Sequence, residues 1–276
     1  MNGGEARLYF NLGLRRLLGY HHQEAVKYFE RCFTRSPDCA LVPALMALCH
    51  CPNYNFTGEA YYSSTSISTH YAEDNCVDEY TLPEDFNPGI EMFPCQETAH
   101  YFSRKALEIV DRLNCNSIPS SRKSSKKKRK NKVRNSVSVN GEIYNAPSVI
   151  SESECLIIAA IKEIAKYPGV KPENSEEVVG RPYADAFRKA YQRFGNDPDI
   201  AYFFAEALMV LNAWNLYDFP STKTLSPDVD EARAVLEASL REFPEHAGLC
   251  HLYIHLCEMS PDPARALAAC EPLRSK

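Results

Sequence analysis

The chain of 276 residues contains no run of about 18 apolar side chains, so no segment of it is read as a helix spanning a bilayer. Its opening, Met-Asn-Gly-Gly-Glu-Ala-Arg, lacks the basic stretch and short apolar core of a secretory leader, and the expected compartment is the cytoplasm or the nucleus. Glycine is scarce, with 11 residues, and none is set in a phosphate-cradling loop, a dinucleotide fingerprint or a serine elbow. The 11 cysteines are scattered and odd in number, which points to free thiols in a reducing environment and away from a disulfide framework. Without a secretory leader, the sequon Asn55-Phe56-Thr57 carries no expectation of glycosylation. No segment alternates convincingly as a strand.

Acidic residues are missing from one stretch altogether. Between Arg122 and Arg134 lie nine basic side chains and no carboxylate, so the formal charge of −5 is an average that leaves −14 on the rest of the chain. Ser, Asn and Pro flank this stretch and almost nothing apolar lies in it, so residues 114–150 are expected to form a disordered basic linker. Residues 52–96 form a second non-periodic insertion, rich in Tyr, Ser, Thr and Pro. Its start, near Asn53 to Phe56, is expected to pack on the helices, and its centre around Tyr62 to Thr69 to be mobile.

What remains is helical in period: residues 1–51, a helix at 97–113 and a region at 151–276. The fold class expected is all-α. The spacing predicts helices at Ala6 to Leu18, Glu24 to Thr34, Cys39 to Cys49, Glu97 to Leu113, Glu152 to Lys166 and Pro182 to Phe194. Further helices are predicted at Ile200 to Leu216, Val229 to Phe243, Ala247 to Met259 and Pro263 to Cys270. A period of about 34 residues can be tested against the first pair. With Pro37 as terminal proline, Tyr9, Leu12 and Gly13 fall at the aromatic, leucine and glycine positions of a first helix. Ala25, Phe29 and Cys32 then take the small, large and small positions of a second. Small residues let paired helices approach, and large ones fill the gap to a neighbour. Ala232, Leu236 and Pro244 repeat the second-helix half, with weaker echoes at Ala186, Ala190 and Pro198. The expectation is a set of degenerate helical hairpins stacked as an α-solenoid and interrupted by the two insertions.

The strings Gly19-Tyr20-His21-His22-Gln23-Glu24-Ala25, Pro37-Asp38-Cys39-Ala40, Pro52-Asn53-Tyr54-Asn55 and His251-Leu252-Tyr253-Ile254-His255 make the likeness more specific. With Asp197-Pro198-Asp199, Ala205 to Met209 and Trp214, they resemble a family of tetratricopeptide-repeat proteins. Arg16 departs from that pattern, standing where the last turn of the first helix usually has an aromatic. Members of that family run on into a further His-rich segment and more repeats, so the chain resembles a shortened or fragmentary member. The resemblance implies a non-catalytic scaffold that binds a protein or peptide, with no cofactor.

His251, His255 and Glu258 form the sharpest polar constellation. At about 100° per residue they share one helix face, and two imidazoles with a carboxylate would suit zinc or non-haem iron. Leu252 stands where a zinc-protease helix carries its glutamate, so this turn has no built-in general base. The alternative function is therefore a metal-binding protein or metal-dependent enzyme; the competing structural role is a pair of packed histidines. Cys49-His50-Cys51 has no second spaced pair to complete a zinc site. His21 and His22 fall at a turn, where polar residues are expected. Lys126, Lys127, Lys128, Arg129 and Lys130 read as a nuclear-import cluster or a solvated linker. Nucleic-acid binding is disfavoured because no aromatic interleaves with the charge and the helical body is acidic. Leu14 occupies the position at which chaperone-binding members carry an asparagine.

Overall fold

The computed structural model describes residues 3–56, 95–116, 136–139, 142–145, 150–166, 172–218, 221 and 223–274. The body is all-helical. In chain order its helices are α1 (Gly4–Leu18), α2 (His22–Arg35), α3 (Leu41–Cys49), α4 (Gln96–Asn116) and α5 (Glu152–Ile164). They are followed by α6 (Arg181–Phe194), α7 (Pro198–Val210), α8 (Pro227–Glu242), α9 (Ala247–Glu258) and α10 (Leu267–Arg274). A π-helical turn, Glu176–Gly180, leads into α6, and a 3₁₀ turn, Pro263–Ala266, leads into α10. Among the described residues no helix is long and apolar enough to cross a membrane.

Local chemistry sets several of these boundaries. Ser151 caps α5 through a reciprocal pair of hydrogen bonds with Glu154, and Asp197 caps α7 by accepting from the backbone N–H groups of Asp199 and Ile200. Pro198, in the first turn of α7, needs no amide hydrogen there. Pro43 lies in the first turn of α3, as its place in a helix requires.

Burial ranks the helices. In α3 every residue from Val42 to Cys49 is buried, and in α7 every residue from Ile200 to Met209 is. A helix buried on all sides sits at the centre of its molecule. The amphipathic helices pack around these two: α2, α4 and α5 against α3, and α6, α8 and α9 against α7. Ion pairs tie the outer layer across α6 and α8, where Arg188 binds Glu231 at 2.9 Å and Arg181 binds Asp228 at 2.8 Å.

The residues read as repeat-packing positions are mostly interior. Ala25, Phe29 and Cys32 are fully buried and Gly13 is buried, while Tyr9 and Leu12 are half-buried. A β-carbon at Gly13 would lie 2.6 Å from Cε1 of Phe29, so only glycine permits this approach of α1 to α2. Ala232 and Leu236 are buried, whereas Pro37 and Pro244 are exposed in turns. The turns after α2, α6 and α8 share one hydrogen bond: the N–H of Cys39, Asp197 and His246 donates to the carbonyl of Ser36, Phe194 and Phe243 respectively.

Four features differ from expectation. The helix expected over Ile200 to Leu216 ends at Val210, and the segment beyond it turns. The last helix divides into the 3₁₀ turn and α10, which carries Pro272 inside it. Residues 114–150 include the end of α4 and an antiparallel pair, β1 (Ser136–Val139) and β2 (Glu142–Asn145), with Val139 opposite Glu142. That register leaves the dipeptide Asn140-Gly141 between the strands, a sequence signal for a hairpin that outweighs the absence of a long alternating run. The array also does not contact nearest neighbours alone, because α1 packs against α9. The basic cluster Lys126 to Lys130 and the stretch Tyr62 to Thr69 lie outside the described residues.

Candidate functional site

The first hairpin, the turn after α3, and the ends of α7 and α9 converge on His255. On α9 the four-residue spacing stacks His251 and His255 on one face. Nδ1 of His251 is 3.0 Å from the carbonyl oxygen of Leu18, which can only accept, so this nitrogen carries the proton. Leu18 ends α1, and its carbonyl is one that the helix leaves unpaired; the hydroxyl of Tyr202 approaches it too, at 3.4 Å. At the other end, Nδ1 of His255 lies 2.8 Å from Oε1 of Glu258. Between these two anchors the Nε2 atoms of His251 and His255 face each other at 3.1 Å.

Aromatic rings enclose the pair. Tyr20 lies 5.1 Å from the His251 ring and 5.9 Å from His255, and Tyr54 lies 5.1 Å from His255. Trp214 stacks on Tyr54 at 5.3 Å. Tyr54 is fully buried, whereas Trp214 is 46% exposed and forms the outer wall.

Two of these rings are held by unusual backbone. Tyr20 has φ 58° and Trp214 has φ 62°, and they are the non-glycine residues with positive φ among those described. After α1 the N–H of Tyr20 donates to Leu17 and that of His21 to Arg16. This is the Schellman pattern, with Tyr20 in the left-handed position that glycine normally takes. Gly19 immediately precedes it with negative φ. A tyrosine there costs about 1–2 kcal/mol of local strain, and what it gains is the ring placed against both histidines.

Tyr54 is aimed by an Asx turn: Oδ1 of Asn53 accepts from the N–H groups of Asn55 and Phe56 at 2.9 and 3.0 Å. Asn53 and Tyr54 are buried, as expected for the start of this insertion, but Phe56 is 54% exposed. Beneath the turn lies Glu206 of α7, buried, with the Tyr183 hydroxyl donating to it at 3.4 Å. Burial pushes its carboxyl up to about 8, against smaller opposing contributions from Tyr183 and the Tyr54 backbone N–H. His22, expected at a polar turn, is the first residue of α2 and half-buried: burial pushes its imidazole down to about 4, and Nδ1 lies 3.5 Å from Asn53 Nδ2. His251 is likewise lowered by burial.

The structure therefore unites His251, His255 and Glu258, but in line along the helix face in place of three ligands around a point. The reason is spacing. Three residues along α9, Glu258 reaches back to the side nitrogen of His255 and is engaged there. Among the described residues no group of three His, Cys, Asp or Glu side chains is arranged around a common metal position. Cys49, His50 and Cys51 are buried at the end of α3, where the Cys51 thiol donates to the Ala47 carbonyl.

Sequence reasoning missed Tyr20, Tyr54, Trp214, Glu206 and His22 as parts of one site. The available signals were the Tyr-His-His break and the Pro-Asn-Tyr-Asn string, but nothing in either shows that they meet. Beside the cluster a groove of about 830 Å³ runs between α1 and the start of α9, lined by Asn11, Leu14, Arg15, His246, His251 and Leu273 among others. A separate cleft of about 340 Å³ opens on the other side of Tyr20, toward Asn53 and Phe56. No protein-family profile, curated protein or solved structure matches the chain.

Proposed function

We propose that the protein is a non-catalytic helical scaffold that binds a peptide or protein segment in the groove between α1 and α9. The observation that carries this reading is the groove itself. It is open along its length and combines apolar walls from Leu14 and Leu18 with polar ones from Asn11, Arg15 and His21. The α1 wall from Asn11 to Gly19 covers about 12 Å, room for three or four residues of extended chain. Arg15 forms no ion pair among the described residues and is exposed, so it can meet an acidic group on the bound segment. His246 is already engaged, capping α9 through Nδ1 and pairing with Asp199 through Nε2, and holds the groove's far wall in place.

Capture experiments with the full chain, Leu14→Lys, Arg15→Glu and the remote exposed control Glu108→Lys test this. The expected result is a partner retained by wild type and control, with or without chelator, and lost by both groove variants at unchanged melting temperature. Captured proteins indifferent to Leu14→Lys and Arg15→Glu would refute it.

A further inference from the structure

The facing nitrogens of His251 and His255 pose a question of charge. Leu18 offers only a carbonyl oxygen, so the His251 proton is on Nδ1. The Glu258 carboxylate places the His255 proton on Nδ1 in the same way. With those tautomers both Nε2 atoms present lone pairs, and they lie 3.1 Å apart. Two neutral acceptors do not approach this closely unless a proton or a metal ion bridges them.

We infer that Nε2 of His251 and Nε2 of His255 are the paired protein ligands of a first-row divalent transition-metal ion, with the Leu18 carbonyl and Glu258 as the hydrogen-bond partners that orient them. Three observations agree. An ion about 2.05 Å from each nitrogen subtends an N–metal–N angle of about 100° at the observed separation, within the range of tetrahedral coordination. Histidines that bind metal donate their other ring N–H to a carboxylate or a backbone carbonyl, and this pair does one of each. The rings of Tyr20, Tyr54 and Trp214 form an apolar shell around the pair, while His251 borders the open groove, which gives an ion and its remaining ligands a way in. With two protein ligands, the other coordination positions fall to water or to a ligand carboxylate. The role of Glu258 is thus orientation of His255 and not coordination. The inference does not depend on peptide binding in the groove.

The test is calorimetric titration of the reduced, chelator-treated full chain with ZnCl₂, repeated with Co²⁺ and followed by its visible absorption. Wild type is expected to take up one equivalent. Glu258→Gln, a half-exposed position, is expected to keep the metal-free melting temperature and to bind ten- to a hundred-fold more weakly. His255→Ala is expected to lose the site. If His255→Ala does not fold, Glu258→Gln decides. Failure of wild type to take up an equivalent, as when a shared proton holds the pair together, overturns the inference. So does an affinity within tenfold of wild type in either folded variant, which would assign the metal to the thiols.

Discussion

Tyr20 carries two opposed contributions that substitution can separate. Its ring packs against His22, His251 and His255, while its backbone occupies a left-handed position. Tyr20→Ala loses the ring and keeps the strain; Tyr20→Gly loses the ring and relieves it. Both variants are expected to be less stable than wild type, with Tyr20→Ala about 1 kcal/mol below Tyr20→Gly in urea unfolding. Equal stability would mean that the positive φ is not strained. Glu206 gives a prediction in pH. A carboxyl raised in the fold from 4.5 to about 8 contributes stability that is complete below the unfolded value and lost as pH rises toward the folded one. His22 and His251 are lowered in the fold, so they act in the opposite direction and only below their ordinary value near 6.5. The buried thiols and phenols are raised from 9 and 10, above the useful window. Between about pH 6.5 and 8, wild type should therefore lose about 2 kcal/mol through Glu206, and Glu206→Gln should be flat. Urea midpoints across that range measure the difference.

At the scale of elements, the clearest contrast lies between the helix ends that local chemistry marks and those it does not. Ser151-x-x-Glu154, Asp197-Pro198 and the Pro37 and Pro244 turns announce their boundaries by capping and by the missing proline donor. The segment Leu211 to Leu216 announces nothing: it has no glycine or proline and keeps an apolar spacing, so continuing the helix is the local expectation. Its turn is fixed by contacts from elsewhere, namely Tyr54 stacking on Trp214 and the Tyr217 hydroxyl donating to the Leu256 carbonyl at 3.0 Å. The Asn53 turn is the element on which those contacts rest. Asn53→Ala removes the acceptor for two backbone N–H groups and is expected to cost about 2 kcal/mol. It should also make Trp214 fluorescence more solvent-exposed in the folded state; an unchanged emission maximum would show that the turn does not need its Asx bonds.

For the whole molecule, the decisive contacts are those between the first hairpin and helices far along the chain. A stacked array in which each unit meets only its neighbours can unfold piecemeal. Here Leu18 accepts from both Tyr202 and His251, and the α-carbon of Gly248 leaves room for the Leu18 side chain, whose Cβ would be 3.1 Å from an added β-carbon. With α1 packed against α9, the described body is expected to unfold as one unit. Urea transitions followed by far-ultraviolet circular dichroism and by the single tryptophan, Trp214, should then coincide; separated midpoints would restore the open-array picture. The sequence by itself determined the helical class, most helix positions, the Gly13 and Phe29 crossing and the shared face of His251 and His255, because these follow from spacing within about ten residues or from a glycine set against a large ring. Only the tertiary structure decided that His251 is anchored on the Leu18 carbonyl, that Tyr20 and Trp214 take left-handed backbone and reach the same pair, and that Glu206 is buried beneath them with its carboxyl raised. Each of those outcomes depends on burial or on a partner far along the chain, and neither is written in local order.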